Sequence, residues 1–195
     1  MQLSDIAQIK PGFTFRGALE PDKEGNIIVV QARNVVGGKN SIRAGDLLRI
    51  SSQPPRTATY VLNGDIILVA RGVGTGTFRA AVLELDIDDV NVLPSSSVFV
   101  IRVTDRNRVL PEYLSLFINS SEGQKLIFQT VSGSNIQTVS RTELEKIDIP
   151  IPPLITQKGI VDLSRNIRQQ EQITERKKYL KQNIINATIK NLTHN

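Results

Sequence analysis

The chain is 195 residues long, with no Cys, no Trp and a single His, His194. Its apolar content of 39% suffices for a buried core, and its 22% charged residues fit a globular rather than a disordered chain. This composition excludes a disulfide scaffold, a thiol nucleophile and a Cys-based metal site, and argues against an intrachain Ser–His–Asp triad or multi-His metal centre.

The formal charge of +5 is unevenly placed. Residues 1–152 hold 16 basic and 16 acidic side chains, whereas residues 153–195 hold 8 and 3. All 13 glycines lie at or before Gly159, and no Pro follows Pro153. Loop punctuation therefore stops where the charge begins. The division expected is a domain over 1–152 and a long helix within 153–195. No run reaches 18 apolar residues, so no membrane span is expected. Met1-Gln2-Leu3-Ser4-Asp5 lacks a basic, then apolar, leader, and a cytoplasmic protein is expected.

In chain order, the first elements are strands. Ile27-Ile28-Val29-Val30, residues 65–69, residues 80–85 and residues 97–103 are apolar runs of strand length, rich in β-branched side chains. Gly25-Asn26, Gly37-Gly38, Pro54-Pro55 and Asn63-Gly64 punctuate them. A helix is predicted from Pro111, which suits the first helical position, and a second from Ser121. Ser132-Gly133-Ser134-Asn135 reads as a polar loop. Ser140 and Glu143 have capping-box spacing and predict a helical turn, followed by a strand at Ile147-Asp148-Ile149. The fold class is α+β: a mixed, strongly bent or barrel-like sheet with a few short helices, then one long C-terminal helix.

That helix can begin at Pro153 or Leu154 and run to about Leu192, a length of about 58 Å. Its apolar seam is Ile160, Leu163, Ile167, Ile173, Leu180, Ile184 and Ala187, with one slip between Ile167 and Ile173. Such a stripe calls for a second helix, which gives a coiled coil.

Candidate chemistry is sparse. Arg71-Gly72-Val73-Gly74-Thr75-Gly76-Thr77 has neither the Walker ending nor the dinucleotide spacing, and strand residues follow it. A Gly-rich hairpin connection is the favoured reading, and its backbone can approach a nucleic acid closely. Pro21-Asp22 and Glu175-Arg176-Lys177 echo a metal nuclease, but lie about 150 residues apart, with the second inside the long helix. Ile151-Pro152-Pro153-Leu154 lacks the polar and aromatic residues of an adenine clamp. What remains is a set of loop residues suited to guanine, adenine and phosphate: Arg16, Arg33, Asn34, Lys39, Asn40, Arg43, Arg71, Thr75, Arg79, Ser134, Asn135, Gln137 and Arg141. Asp86-Ile87-Asp88-Asp89 is a candidate for the face turned from DNA.

The order of several short motifs resembles the specificity subunit of type I restriction–modification systems. They are Leu3-Ser4-Asp5-Ile6-Ala7-Gln8-Ile9 with Gly12, Gln31-Ala32-Arg33-Asn34-Val35, Gly64-Asp65-Ile66-Ile67-Leu68 and Arg71-Gly72-Val73-Gly74. The exit Ser132-Gly133-Ser134, Ile136, Val139-Ser140, Leu144, Ile147 and Ile149-Pro150-Ile151-Pro152-Pro153-Leu154 with Gln157 is the most specific match. The resemblance implies a non-catalytic reader of one half of a split double-stranded DNA target. It also implies methyltransferase partners carrying S-adenosylmethionine, a restriction subunit joining them, and no cofactor or metal on this chain. One domain and one helix, where a usual member has two of each, imply a homodimer on an interrupted palindrome, a truncated form or a silent cassette. The competing expectations are an assembly or regulatory protein that reads no sequence, and a small metal-dependent nuclease.

Overall fold

The computed structural model describes residues 1–35, 41–54, 57–74, 77–85 and 91–193. A single turn, α1 (Leu3–Ile6), buries Leu3 and Ile6 and leads into β1 (Ala7–Pro11). Then come β2 (Ile27–Val30), β3 (Ser41–Arg43), β4 (Leu48–Ile50), β5 (Ile66–Val69), β6 (Arg71–Gly72), β7 (Ala80–Glu84), β8 (Asn91–Pro94) and β9 (Val98–Val103). Short 3-10 turns at Ala32–Asn34 and Ala44–Asp46 flank β3. Two helices, α2 (Pro111–Asn119) and α3 (Ser121–Gln129), precede the hairpin β10 (Val131–Ser132) and β11 (Gln137–Val139). The chain ends with α4 (Arg141–Glu145) and α5 (Leu154–Thr193).

Three sheets, two mixed and one antiparallel, and not a closed barrel, organise the described residues. The largest has the order β1-β9-β5-β7-β3; the others are β4-β2-β8 and β10-β11-β6. The central strand β5 explains the middle layer. All four of its side chains are buried, and they alternate between two cores. Ile66 and Leu68 join Phe78, Ile101, Leu114 and Ile127 on the helical side. Ile67 and Val69 face Ile28, Val30, Val92 and Val100 on the other. A continuous apolar run of strand length is thus what a strand covered on both faces requires.

Local chemistry sets the helix ends. Pro111 occupies the first position of α2, and the Ser120 hydroxyl accepts the Gly123 N–H at the start of α3. A Cβ at Gly123 would collide with the Phe117 carbonyl, so only glycine lets α3 follow α2 directly. Ser140 caps α4 by accepting the Glu143 N–H. The strand predicted at Ile147-Asp148-Ile149 is reduced to one bridge, Gln2 to Asp148. Its backbone bonds go to the N-terminal segment, Leu3 N–H to Ile147 and Ile149 N–H to Met1, and no partner of strand length adjoins it among the described residues.

An ion pair joins β9 of the large sheet to the residue just before β5. Arg102 on β9 grips Asp65 with two hydrogen bonds of 2.9 and 2.6 Å, and Asp65 is only 1% exposed. The Leu62 N–H adds a third bond to that carboxylate. Asp65 holds the Arg102 guanidinium pKa above its ordinary value.

The chain divides into two compact units, Met1–Gln157 and Lys158–Asn195. The first turn of α5 belongs to the first unit, where Gln157 is wholly buried. Its oxygen accepts the Leu110 N–H at 2.9 Å, and its nitrogen donates to Arg108 O at 2.9 Å and Pro152 O at 2.8 Å. Among the described residues no helix is long and apolar enough to cross a membrane.

Candidate nucleic-acid interface

Several predicted loop residues converge at the end of the domain where β5 stops, β9 begins and β2 and β8 finish. The connecting node is Ser97, which sequence reasoning missed. Its carbonyl accepts the N–H groups of Ala70 and Arg71, at 2.8 and 3.3 Å. Its hydroxyl bonds the Ser95 hydroxyl at 2.7 Å and accepts the Ala32 N–H at 3.3 Å. The turn carrying Arg33 and the strand carrying Arg71 are thereby tied to one residue. A serine immediately before an apolar run gives no sequence signal of this role.

At Arg71 the chain leaves the large sheet. β6 pairs with β11, Arg71 opposite Thr138 and Gly72 opposite Gln137, and the Val139 N–H bonds Ala70 O at 2.9 Å. The Gly-rich segment is therefore more than the expected hairpin connection: its first two residues form a strand of a separate sheet. Gly74, at φ +84°, begins the return, which the Thr77 hydroxyl ties to the carbonyls of Val73 and Gly74. Opposite lies the β10–β11 loop, turned by Gly133 at φ +102°. Ser134 and Asn135 are exposed there. Val73 and Ile136, each one residue beyond the Gly72–Gln137 pair, are 74% and 65% exposed. Exposed apolar tips beside an exposed Arg and amide groups suit base edges and thymine methyl groups.

Two buried amide oxygens at this end, on Gln31 and Gln137, have no hydrogen-bond partner among the described residues. A buried acceptor left alone costs about 1–3 kcal/mol, so both have capacity for an incoming donor. The exit of β1 reaches the same end. Gly12 N–H bonds Val98 O, Phe13 N–H bonds Pro94 O, and a Cβ at Gly12 would strike the Ser95 carbonyl. Beyond it, Phe13 and Phe15 stack edge to face in a cleft of about 650 Å³, with exposed Arg16 on its wall.

Other predicted residues have different surroundings. Asn34 is spent structurally: its oxygen accepts Gln31 N–H and its nitrogen donates to Asp46 O. Half-buried Arg79 donates to Asn119 O at 3.0 Å, at the C-terminus of α2. Arg141 pairs with Glu145 at 2.8 Å. Arg43 stands opposite Glu84, at the far end of β7 from Arg71. Lys39, Asn40, Thr75 and residues 86–89 lie outside the described residues. Asp22, the acid of the nuclease echo, accepts the Ser51 hydroxyl at 2.6 Å and the Glu24 N–H at 3.0 Å. These bonds, Ser51 foremost, lower its pKa.

The second unit shows its apolar positions differently from a single seam. Ile160, Leu163, Ile167, Ile173, Leu180 and Ile184 are all exposed. Ala187 lies in the helix, and its side chain is outside the described residues. The helix is unbroken from Leu154 to Thr193, so nothing absorbs the slip. At about 100° per residue, Ile160, Leu163 and Ile167 form one face, and Ile173, Leu180 and Ile184 another, about 120° around. The first face resumes at Ile185 and Ile189, both exposed and both missed in the single-seam reading.

Comparisons with known proteins agree on one group. The family model described as the type I restriction modification DNA specificity domain matches residues 1–191. No curated protein matches the sequence. Among solved structures, the type I restriction–modification S subunit from M. genitalium matches with a TM-score of 0.54 at 13% identity, over 84% of this chain. The HsdS subunit from Thermoanaerobacter tengcongensis matches at 0.59 and 17% identity, over 87%. A structure described as the basis of complex assembly and conformational transition of the type I R-M system matches at 0.60 and 19%, also over 87%. At these identities the likeness is one of fold. The chain spans 37% of the length of each.

Proposed function

Because the chain belongs to the type I restriction–modification DNA specificity family, we propose that its first unit reads one half of a bipartite double-stranded DNA target. The observation that carries this reading is the gathering at Ser97 of exposed Arg33 and Arg71 with the β10–β11 loop. Phosphate contacts set position, and a few base-edge contacts from Arg71, Asn135 and Gln137 set sequence. The unit's charges balance, with 16 of each sign up to residue 152, so its DNA affinity depends on their arrangement and on its partners.

The exposed apolar helix supports an assembly role. It pairs with a second copy, spaces two identical half-sites and docks methyltransferase subunits, which bind S-adenosylmethionine; a restriction subunit joins that core. The chain itself does no covalent chemistry, and its target is an interrupted palindrome. A binding selection on random duplex, with and without the methyltransferase subunit, tests this. Enrichment of a two-part symmetric motif supports it. An assembled complex with no sequence preference would make the chain an assembly protein instead, and metal-dependent cleavage by the chain alone would make it an enzyme.

A further inference from the structure

Self-pairing of α5, the reading on which this inference rests, leaves open which face pairs and in what register. We propose that the face formed by Leu163, Ile167, Ile185 and Ile189 joins a second copy in an antiparallel register centred on residue 176.

A two-fold interface must be self-complementary, so every residue and its partner lie at equal distances from one centre. About position 176, Leu163 of one copy meets Ile189 of the other, and Ile167 meets Ile185. All four are exposed large aliphatics, and all lie on one face of an unbroken helix. The next layer inward pairs Glu171 with Lys181, opposite charges on exposed residues of that same face. The two-fold repeats this pair on the other side of the centre. The middle layer, Thr174 with Lys178, is polar. The paired helices thus have apolar ends and a charged centre, and a polar layer of this kind fixes orientation and register. The steps along the face, 4, 4, 3, 4, 3, 4 and 4 residues, average about 3.7, which suits a nearly straight helix better than a strict heptad does. The other face, with Ile173, Leu180 and Ile184, stays uncovered in this register and is available to a further helix.

Charge reversal in the full chain tests the register. Glu171→Lys and Lys181→Glu each set like charges against each other twice per dimer. Each variant alone should dimerise at least about tenfold more weakly in sedimentation. Mixed, the two variants should form a heterodimer of near wild-type strength, because both pairs are then attractive. The double variant should also recover. Circular dichroism reports whether helicity is retained. A wild-type chain that stays monomeric at high micromolar concentration would refute self-pairing itself. A wild-type dimer with no preference for the mixed pair would refute only this face and register. Loss of the dimer in Ile184→Ser, with Ile185→Ser unaffected, would also refute the face and assign pairing to the other one.

Discussion

Gln157→Leu removes three hydrogen bonds while keeping an apolar side chain of similar size. Leu110 N–H and the carbonyls of Arg108 and Pro152 then lose their partner. Each orphaned group costs about 1–3 kcal/mol if it stays dry. The three groups are only partly buried, so water can reach some of them, and the low end applies. The expected loss is about 3 kcal/mol, a large fraction of a net stability of about 5–15 kcal/mol. Urea unfolding followed by circular dichroism measures it. Gln157→Glu sharpens the test. A carboxylate can accept from Leu110 but can donate to neither carbonyl, so the fold favours the protonated acid and raises its pKa above about 4.3. That variant should be relatively most stable below about pH 4 and lose stability as pH rises through the raised value. A loss below about 1 kcal/mol in Gln157→Leu, with no pH dependence in Gln157→Glu, would refute the role given to this side chain.

Asp65→Ala takes the carboxylate from partly buried Arg102, which keeps its bond to Tyr60 O, and orphans the Leu62 N–H; it should cost about 3 kcal/mol in urea unfolding, the low end for a broken buried pair. Arg71→Ala should reduce DNA affinity by about 1–3 kcal/mol with little change in melting temperature, because its exposed side chain lies on a two-residue strand. Arg79→Ala should do the reverse and lower stability, since it gives up the bond to Asn119 O; equal effects on DNA binding would oppose this division. Burial raises the Tyr113 pKa above 10.0, so its contribution is complete below that value and lost as pH rises through the folded value. In Tyr113→Phe the alkaline fall should flatten, while loss of the bond to Pro150 O should cost about 1 kcal/mol at neutral pH.

The elements most legible in the sequence were those whose signal is local. Continuous β-branched runs gave β2, β5 and β9 to within a residue, because strands covered on both faces need no polar alternation. Pro111 as a first helical residue and Ser140 as a cap marked helix starts through chemistry that acts within three residues, and α3 begins at the expected Ser121. Ile147-Asp148-Ile149 failed because pattern alone cannot supply a neighbour, and among the described residues only the bridge at Asp148 is available there. The candidate site was harder to read. Arg71 and Gln137 are 66 residues apart, and a two-residue strand that switches sheets has no periodicity to detect. Ser97 joins Ala32 to Arg71 through one hydroxyl and one carbonyl, contacts that exist only once three strand ends meet. Arg79 and Arg71 look alike in sequence; the carbonyl of Asn119 beside one of them tells them apart. The helix was legible as an amphipathic element, but reading Ile167 into Ile173 merged two faces that a continuous helix keeps apart.

The most direct test of the central claim is a DNA-binding selection on the full chain assembled with its methyltransferase subunit, scored for wild type beside Arg71→Ala. The expected result is a symmetric two-part motif whose preference is relaxed in both half-sites by that one substitution. An unchanged motif in the variant, or no motif in the assembled wild-type complex, would contradict it.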